Sequence, residues 1–272
     1  MTPKICLITG ANGGIGKATA LSLAKRGAKV LMLCRNRERG EAARAEIVAA
    51  SGNESVEVLT GNLGQQQSIR ALAKAFLEQY ERLDVLIHVA AVVKRQRVET
   101  TDGLEMMFAV NHLAPFLLTN LLLPTLKAAA PSRVLVVAAP STAVLNFDDL
   151  QARHHFSFLD SFGASKMANL LYTYELARRQ EGTGVSVNAV HPGLVKSALM
   201  KETPLLMRLL LQLISAPPQG AGEALAHLAL APELADVSGK FFTGGKEIQS
   251  NAYSHGRKNQ SRLWDASMAL TN

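Results

Sequence analysis

A strand, a glycine loop and a helix follow one another at the start of the chain, and this order constrains the fold more than any other feature. Residues 5–8 are a short apolar run, typical of a buried parallel strand, and residues 17–26 have the apolar spacing of a helix. Glycines between them let the backbone approach a pyrophosphate, to which a helix start offers free N–H groups. The order predicts a dinucleotide site, with a tight turn alone as the alternative. The loop residues predicted to bind are Gly10, Asn12, Gly13, Gly14, Ile15 and Gly16.

The end of the second apolar run indicates which dinucleotide is bound. Residues 30–34 predict the next strand, which ends at Cys34 and is followed by Arg35. An NAD site usually has a carboxylate at this strand end to bond the ribose 2′-hydroxyl, and Cys34 cannot do this. A guanidinium can bind a 2′-phosphate through two hydrogen bonds, so Arg35 favours NADP(H). A solvated helix start is the alternative, and it is our interpretation of Arg37 and Arg39.

The rest of the chain alternates strand-like apolar runs with helix-like segments from end to end. This alternation predicts a parallel sheet with helices on both faces. The 272 residues contain no low-complexity linker, long charge block or internal repeat, so residues 1–272 are expected to form one domain. The predicted fold class is α/β, a single doubly wound Rossmann-fold domain with a parallel sheet of about seven strands.

The cysteines and the apolar segments of the chain indicate its cellular compartment. Cys6 and Cys34 both fall in predicted buried strands, so we expect no disulfide framework, no metal site and a reducing, cytoplasmic location. Strand residues begin almost at the first residue, so no secretory signal is expected. The most apolar stretch, residues 205–214, is broken by Arg208 and Gln212 and is too short for a transmembrane segment.

The charge of the chain points to small anionic ligands. The formal net charge is +7, but the Lys and Arg residues are scattered and form no patch with aromatic residues. A nucleic-acid partner is therefore not expected.

Several further motifs occur in order along the chain. They are TGANGGIG at 9–16, LDVLI at 83–87, TDGLE at 101–105, VNHL at 110–113, SKMAN at 165–169, HPGLV at 191–195, SGKFF at 238–242 and RLW at 262–264. By these motifs the chain resembles the short-chain dehydrogenase/reductase family, and within it the retinol-dehydrogenase-like branch, over nearly its whole length. The resemblance implies an NADP(H)-dependent oxidoreductase acting on a lipophilic alcohol or carbonyl compound.

The resemblance also implies four catalytic positions, of which two are changed. In the family a tyrosine protonates the substrate oxygen as hydride arrives, and a serine hydrogen-bonds that oxygen. A lysine holds the nicotinamide ribose and lowers the pKa of the tyrosine, and an asparagine orders a water. Lysine falls on Lys166 and asparagine on Asn111, whereas the tyrosine position is Phe162 and the serine position is Ala139. Both groups that would meet the charge on the substrate oxygen are therefore absent, and ordinary redox catalysis is expected to be impaired.

Other residues could supply the missing proton only from unusual positions. We interpret each of them as ordinary loop, helix or surface chemistry. These residues are Ser141, His154, His155, Ser161, Ser165 and Tyr253.

The resemblance assigns further residues to the cofactor and a segment to the substrate. The cofactor positions are Asn62, Leu63, Ala90, Lys166, Pro192, Gly193, Val195 and Ser197. The family's Asn-Asn-Ala-Gly reads His88-Val89-Ala90-Ala91, and His88 is interpreted as a satisfied strand-end histidine. Residues 197–218 are expected to form an apolar substrate lid over a terpenoid, polyketide or retinoid-like ligand. A dimer contact or shallow peripheral membrane contact is the alternative for this segment.

The family implies a homo-oligomer through the helices that carry Asn111 and Lys166, and residues 116–130 are expected to form a long apolar helix. Three hypotheses for function stay open. The first is an NADP(H)-dependent oxidoreductase with an altered site, and the second is an NADP-binding pseudoenzyme. The third is a non-redox enzyme, such as a cyclase or isomerase, that uses the same apolar pocket. Tyr to Phe and Ser to Ala each remove a hydroxyl and keep the shape, which fits either deliberate substitution or natural recruitment of the pocket.

Overall fold

The computed structural model describes residues 2–196 and 215–272, and within them eight strands form one sheet. The strands are β1 (Ile5–Thr9), β2 (Lys29–Cys34), β3 (Val56–Thr60), β4 (Val85–His88), β5 (Ser132–Val137), β6 (Val185–His191), β7 (Phe241–Thr243) and β8 (Lys246–Glu247). Their order is β3-β2-β1-β4-β5-β6-β7-β8. The first seven pair in parallel and β8 pairs antiparallel with β7. The predicted sheet of about seven parallel strands is confirmed, with one two-residue strand added.

Seven helices accompany these strands in the described ranges. They are α1 (Gly14–Lys25), α2 (Arg37–Ser51), α3 (Gln66–Gln79), α4 (Met106–Ala128), α5 (Phe158–Arg179), α6 (Pro218–Leu230) and α7 (Arg257–Thr271). Short 3-10 turns lie at Pro232–Leu234 and Ala252–His255. Helix α4 contains a π-helical turn at Ala109–Leu113 between two α-helical parts.

Two apolar cores lie on the two faces of the sheet, as the doubly wound prediction requires. On one face, α1, α2 and α6 bury Leu23, Ile47 and Leu225 against β1, β2 and β4. On the other face, α3, α4 and α5 bury residues such as Phe76 and Phe116 against the same strands. Strands covered on both sides are almost wholly apolar, which is why they read as continuous runs in the sequence.

The strand order reverses between β1 and β4, and this reversal places the candidate site. β1 pairs with β2 on one side and with β4 on the other, so the connections after β1 and β4 diverge to opposite faces of the sheet. A crevice opens at the carboxyl ends of the strands where such a reversal occurs. Thr9 is aligned with His88 in the β1–β4 register, so the loops that follow them are neighbours at this crevice.

Two predicted helix boundaries were wrong. The first helix begins at Gly14 and ends at Lys25, not at residues 17–26, because the glycine turn runs directly into it. The long apolar helix begins at Met106 and ends at Ala128, not at residues 116–130. Pro115 lies inside it, where its missing N–H normally marks a helix start. The π-helical turn just before Pro115 carries the helix past this point.

Helix α4 is also the one helix of the described ranges that is long and apolar enough to cross a membrane, with a mean hydropathy of 1.5 over its best window. However, 78% of that window is buried inside the fold, against the sheet and α3. Its apolar character is explained by the core.

Helix α7 covers the outer face of α4 and α5. Trp264 of α7 contacts the Phe116 ring at 4.9 Å between centroids, and the Arg179 guanidinium lies 4.2 Å from the indole centre. His112 Nε2 lies 2.8 Å from Ser267 Oγ, so a polar contact joins the same helices. Helix α7 thus packs on the two helices through which the family resemblance implies a homo-oligomer, and the homo-oligomer stays a prediction.

Candidate active site

The glycine loop after β1 has close backbone contacts at Gly10 and Gly16 that exclude a side chain. Gly10 has φ +70°, a left-handed conformation that favours glycine. A Cβ at Gly16 would lie 2.3 Å from the Gly10 carbonyl oxygen, so only glycine fits there. The turn therefore folds back onto the first turn of α1.

The start of α1 is left open toward the crevice. Its N-cap is Gly13, which provides no side-chain hydrogen bond, and the first turn contains no acidic residue. A Cβ at Gly13 would meet nothing within 4 Å. Free N–H groups with open space in front of them form a ready anion site, so this helix start fits a pyrophosphate. Asn12 and Ile15 lie in the same turn and are half-buried.

Thr9 ties this loop to the loop after β4. Its buried hydroxyl oxygen accepts hydrogen bonds from the backbone N–H groups of Val89 and Ala90, each at 3.0 Å. A Cβ at Gly10 would lie 3.0 Å from Ala90 Cα, so the two loops are in close contact. Ala90, assigned to the cofactor from the resemblance, therefore lies beside the glycine loop. The role of Thr9 was missed, although a threonine directly before the first glycine was visible in the sequence.

Arg35 and Asn62 lie at the ends of the next two strands. Arg35 directly follows the buried Cys34 and is exposed, so its guanidinium is available to a ligand at the crevice edge. Asn62 follows β3, and its side-chain oxygen accepts a hydrogen bond from Gly64 N at 3.0 Å. Leu63 packs partly against the core beside it. All three cofactor positions thus lie at the predicted edge of the sheet.

The loop after β6 provides the far wall of the crevice. Gly193 has φ +78°, so the chain turns sharply after Pro192. Val195 is buried and forms an isolated parallel bridge with Ala216, which leads into α6. Ser197 and most of the predicted lid, residues 197–214, lie outside the described residues.

Asn111 is fully buried in the π-helical turn of α4. Its side-chain oxygen accepts a hydrogen bond from Val92 N at 2.8 Å, and its Nδ2 donates to Val92 O at 3.0 Å and to Ser165 Oγ at 3.1 Å. Ser165 Oγ in turn donates to Phe162 O at 2.7 Å. The π-helical turn, a feature frequent at functional sites, thus joins Asn111 to the helix that carries Lys166. The contact with Ser165 was missed, because the residues are 54 apart in sequence.

Lys166 lies on α5 at the end of β5. It is 5% exposed, and its Nζ donates to the Val137 carbonyl at 3.2 Å. Burial lowers the pKa of this amine to about 8. None of the described carboxylates lies within ion-pair distance of it. The amine beside the crevice therefore loses its proton at a lower pH than the amine of an exposed lysine.

Phe162 and Ala139 lie where the missing hydroxyls would be needed. Phe162 is one helical turn before Lys166, whose Nζ is 5.5 Å from the centre of its ring. Ala139 is two residues beyond Val137, the residue whose carbonyl holds Lys166. Both are half-buried. The structure thus brings all four predicted catalytic positions to one end of β5 and α5, with a hydroxyl at neither of the two substrate-facing positions.

Two of the substitute proton donors, Ser141 and Ser165, donate their hydroxyl protons to backbone carbonyls. Ser141 Oγ is buried, donates to Gly163 O at 2.8 Å and accepts from Ala143 N at 3.2 Å. The Tyr253 hydroxyl accepts a hydrogen bond from Leu145 N at 3.2 Å, so it holds the loop after β5 in place. His154 and His155 are exposed in that loop. These contacts support their interpretation as loop and surface residues.

His88 is a buried structural histidine. Its Nε2 lies 2.8 Å from Thr119 Oγ1, and burial lowers its pKa to about 3. The imidazole is therefore neutral at ordinary pH, and the expectation of a satisfied strand-end residue is confirmed. Among the described residues no cluster of three or more His, Cys, Asp or Glu side chains could hold a metal ion.

A loop with two positions, Gly10 and Gly16, that exclude a side chain lies at the reversal of a doubly wound sheet beside an uncapped helix start, and this arrangement defines a Rossmann-type dinucleotide-binding protein. The residues present fit a nicotinamide dinucleotide: open space at Gly13 for the phosphates, and Lys166 and Asn111 at the reacting end.

The chain belongs to the short-chain dehydrogenase family, whose model matches residues 4–205. It is 43% identical to mouse (Mus musculus) retinol dehydrogenase 12 over 98% of this chain and 86% of that protein. Human (Homo sapiens) retinol dehydrogenase 14 is 40% identical, over 99% of this chain and 87% of that protein. An uncharacterised protein from Mycobacterium paratuberculosis of known crystal structure superposes with a TM-score of 0.80 at 30% identity, covering 98% of this chain and 93% of that one. The predicted family and its retinol-dehydrogenase-like branch are confirmed.

Proposed function

We propose that this protein binds NADP(H) together with a lipophilic alcohol or carbonyl ligand, and that it carries out hydride transfer far more slowly than its relatives. When bound, the nicotinamide would supply or accept the hydride. The observation that carries the proposal is the combination of an ordered Asn111–Ser165–Lys166 arrangement with Phe162 and Ala139 at the substrate-facing positions.

The nucleotide part of the proposal rests on the backbone of the crevice. The start of α1 offers unpaired N–H groups to a pyrophosphate, and Gly13 leaves space for it. Arg35, exposed at the end of β2, is placed to bind a 2′-phosphate through its guanidinium. Lys166 would hold the nicotinamide ribose, since its amine lies at the end of β5.

The ligand part of the proposal rests on the relatives and on the apolar substitutions. The relatives are retinol dehydrogenases, whose name designates a lipophilic retinoid alcohol. Phe162 and Ala139 make the reacting end of the crevice more apolar than a Tyr–Ser pair would, which favours such a ligand. A cytoplasmic location and peripheral membrane contact stay predictions.

The expected loss of activity follows from the two missing groups. Removing one oxyanion-stabilising donor typically costs about 2.7–4 kcal/mol of barrier, and a missing general acid costs about 10²–10⁴-fold. The two losses act on the same oxygen and do not add simply. A chain without either group is therefore expected to bind the nucleotide and turn over very slowly.

The test is to restore both hydroxyls in the double variant Phe162→Tyr, Ala139→Ser. NADPH oxidation with retinal and other lipophilic aldehydes should rise by about 10²–10⁴-fold over the unchanged protein. The single variants provide the matched controls, and nicotinamide fluorescence should show similar NADPH binding in all four proteins. Fast turnover by the unchanged chain would mean that another residue donates the proton.

A pseudoenzyme that binds the nucleotide without redox work is the second candidate, because the same geometry retains the nucleotide crevice and lacks the acid. It is favoured if the double variant binds NADPH but gives no turnover with any lipophilic aldehyde or ketone. A non-redox enzyme is favoured only if the unchanged chain converts a ligand without consuming NADPH.

A further inference from the structure

The amine of Lys166 is poorly satisfied as a cation. A protonated lysine has three N–H donors, and the acceptor for Lys166 Nζ is the Val137 carbonyl at 3.2 Å. Asn169 Nδ2 donates to the same carbonyl at 3.3 Å, so two donors share one oxygen. The other neighbour is the Phe162 ring, whose centre lies 5.5 Å from Nζ; its π face attracts a cation, but it accepts no conventional hydrogen bond as a tyrosine hydroxyl would.

These surroundings raise the share of the neutral, nucleophilic amine above that of an exposed lysine, while the ammonium form still predominates at pH 7. The side chain is 5% exposed, and the described residues provide no carboxylate partner for it. Burial without a counter-charge disfavours the ammonium form, and the lowered pKa of about 8 agrees with this. Lysines desolvated in apolar pockets are the ones that form Schiff bases with carbonyl compounds.

Reduction of a carbonyl ligand does not compete with Lys166 in the nucleotide-free protein, because no hydride donor is present. Phe162 and Ala139 keep reduction slow when the nucleotide is bound, because neither can protonate or hydrogen-bond the aldehyde oxygen. The hydroxyls of Ser141 and Ser165 donate to Gly163 O and to Phe162 O.

We propose that, when no nucleotide is bound, Lys166 condenses with a lipophilic aldehyde and holds it as an imine. The Nζ lone pair adds to the carbonyl carbon, and a proton moves from nitrogen to the former carbonyl oxygen to give a carbinolamine. Loss of water then forms the C=N bond, so amine and aldehyde become imine and water without any oxidation or reduction. The inference rests on the proposed ligand class, and it makes nucleotide and aldehyde compete for Lys166.

The test traps the imine chemically. The nucleotide-free protein is incubated with retinal or decanal and sodium cyanoborohydride, and the modified lysines are located by peptide mass spectrometry. We expect modification of Lys166 at least tenfold faster than of Lys74, whose side chain is 81% exposed. The rate at Lys166 should rise with pH through about 8, as the neutral amine increases. Saturating NADP⁺ should suppress the modification at Lys166 and leave Lys74 unchanged.

The Lys166→Met variant is the control for position, with its fold checked by circular dichroism. Equal labelling of Lys166 and Lys74, or an unchanged total in the variant, would overturn the imine. Two binding measurements separate this failure from failure of the proposed function. A protein that binds NADPH and retinol but gives no adduct with retinal refutes the imine alone. If retinol also fails to bind, the lipophilic ligand class and the imine are both wrong.

Discussion

The nucleotide end and the catalytic end of the crevice are built differently. The nucleotide end is formed mainly by backbone: Gly10 in a left-handed conformation, Gly16 against the Gly10 carbonyl, and the open start of α1. The catalytic end is formed by side chains on α4 and α5, where Asn111 and Lys166 are held and Phe162 carries no polar atom.

This difference explains how one end can be retained while the other is changed. Gly10 and Gly16 cannot be replaced without disturbing the turn, because a Cβ added at either of them meets neighbouring backbone atoms. Phe162 and Ala139 each differ from the family's residue by a single hydroxyl. The loss of that hydroxyl does not change the helix or the strand end that carries the residue. Nucleotide binding therefore depends on the same backbone contacts that form the fold, whereas catalysis depends on side chains that can change without affecting it.

The largest effect is expected at Gly16, where the backbone-built end can be broken directly. The Gly16→Ala methyl would lie 2.3 Å from the Gly10 carbonyl oxygen, so the turn must shift. We expect a loss of about 3 kcal/mol or more in the free energy of unfolding, at the upper end of overpacking costs. Urea denaturation measures it, and NADPH titration should show weak or no binding.

Gly13→Ala is the matched control for that prediction. Gly13 has an extended backbone with φ −170°, and an added Cβ meets nothing within 4 Å. Its stability should therefore stay within about 0.5 kcal/mol of the parent, while the methyl projects into the phosphate space and weakens NADPH binding. A Gly16→Ala protein as stable as Gly13→Ala would contradict the comparison between the two ends.

A smaller effect is expected at Arg35, the one side chain on which nucleotide choice is proposed to depend. Arg35→Ala should weaken NADPH binding by about 10- to 100-fold, the loss of a charge-assisted hydrogen bond, and leave NADH binding nearly unchanged. Arg37→Ala, also exposed and two residues away, is the control and should change neither. Equal losses of affinity for NADPH and NADH would show that a residue other than Arg35 binds the 2′-phosphate. Fluorescence titration measures both.

The smallest effect at pH 7 concerns His88, at the end of β4. The pKa values of the buried His88 and His112 are lowered to about 3, whereas an unfolded histidine titrates near 6.5. Between these values the unfolded chain binds more protons, so stability is present above pH 6.5 and is lost as pH falls toward 3. Each group contributes a slope of up to about 1.4 kcal/mol per pH unit.

The His88→Asn variant removes one of these two imidazoles and should reduce the pH dependence of unfolding by about one group. Asparagine can still hydrogen-bond Thr119, so stability at pH 7 should change little. Denaturant midpoints at several pH values between 4 and 7 provide the measurement. An unchanged slope would show that His88 is not neutral in the folded protein.

The sheet and the position of the crevice could be predicted from the sequence because they depend on local patterns. Residues 5–16 place an apolar strand directly before glycines, and strands buried on both faces read as unbroken apolar runs. The family resemblance implied one site for Asn111, Lys166, Phe162 and Ala139, and the structure brings all four to the same end of β5 and α5.

What could not be predicted depends on contacts between distant residues. The partner of Asn111 is Ser165, and the partner of Lys166 is a backbone carbonyl 29 residues away, which no side-chain pattern reveals. The start of α4 at Met106 was missed because a proline such as Pro115 is typical of the first turn of a helix. The structure shows that the helix already exists before Pro115, as a π-helical turn. The cover that α7 provides over α4 and α5 rests on ring contacts between elements far apart in sequence.

That cover has a practical consequence for spectroscopy. The chain has a single tryptophan, Trp264, which is half-buried and packs against Phe116, Tyr172 and the Arg179 guanidinium. Its intrinsic emission therefore reports whether the C-terminal helix is docked, on the outer side of α5. Changes in that emission during denaturation follow undocking of α7, while occupancy of the crevice is followed by the light emitted from the nicotinamide.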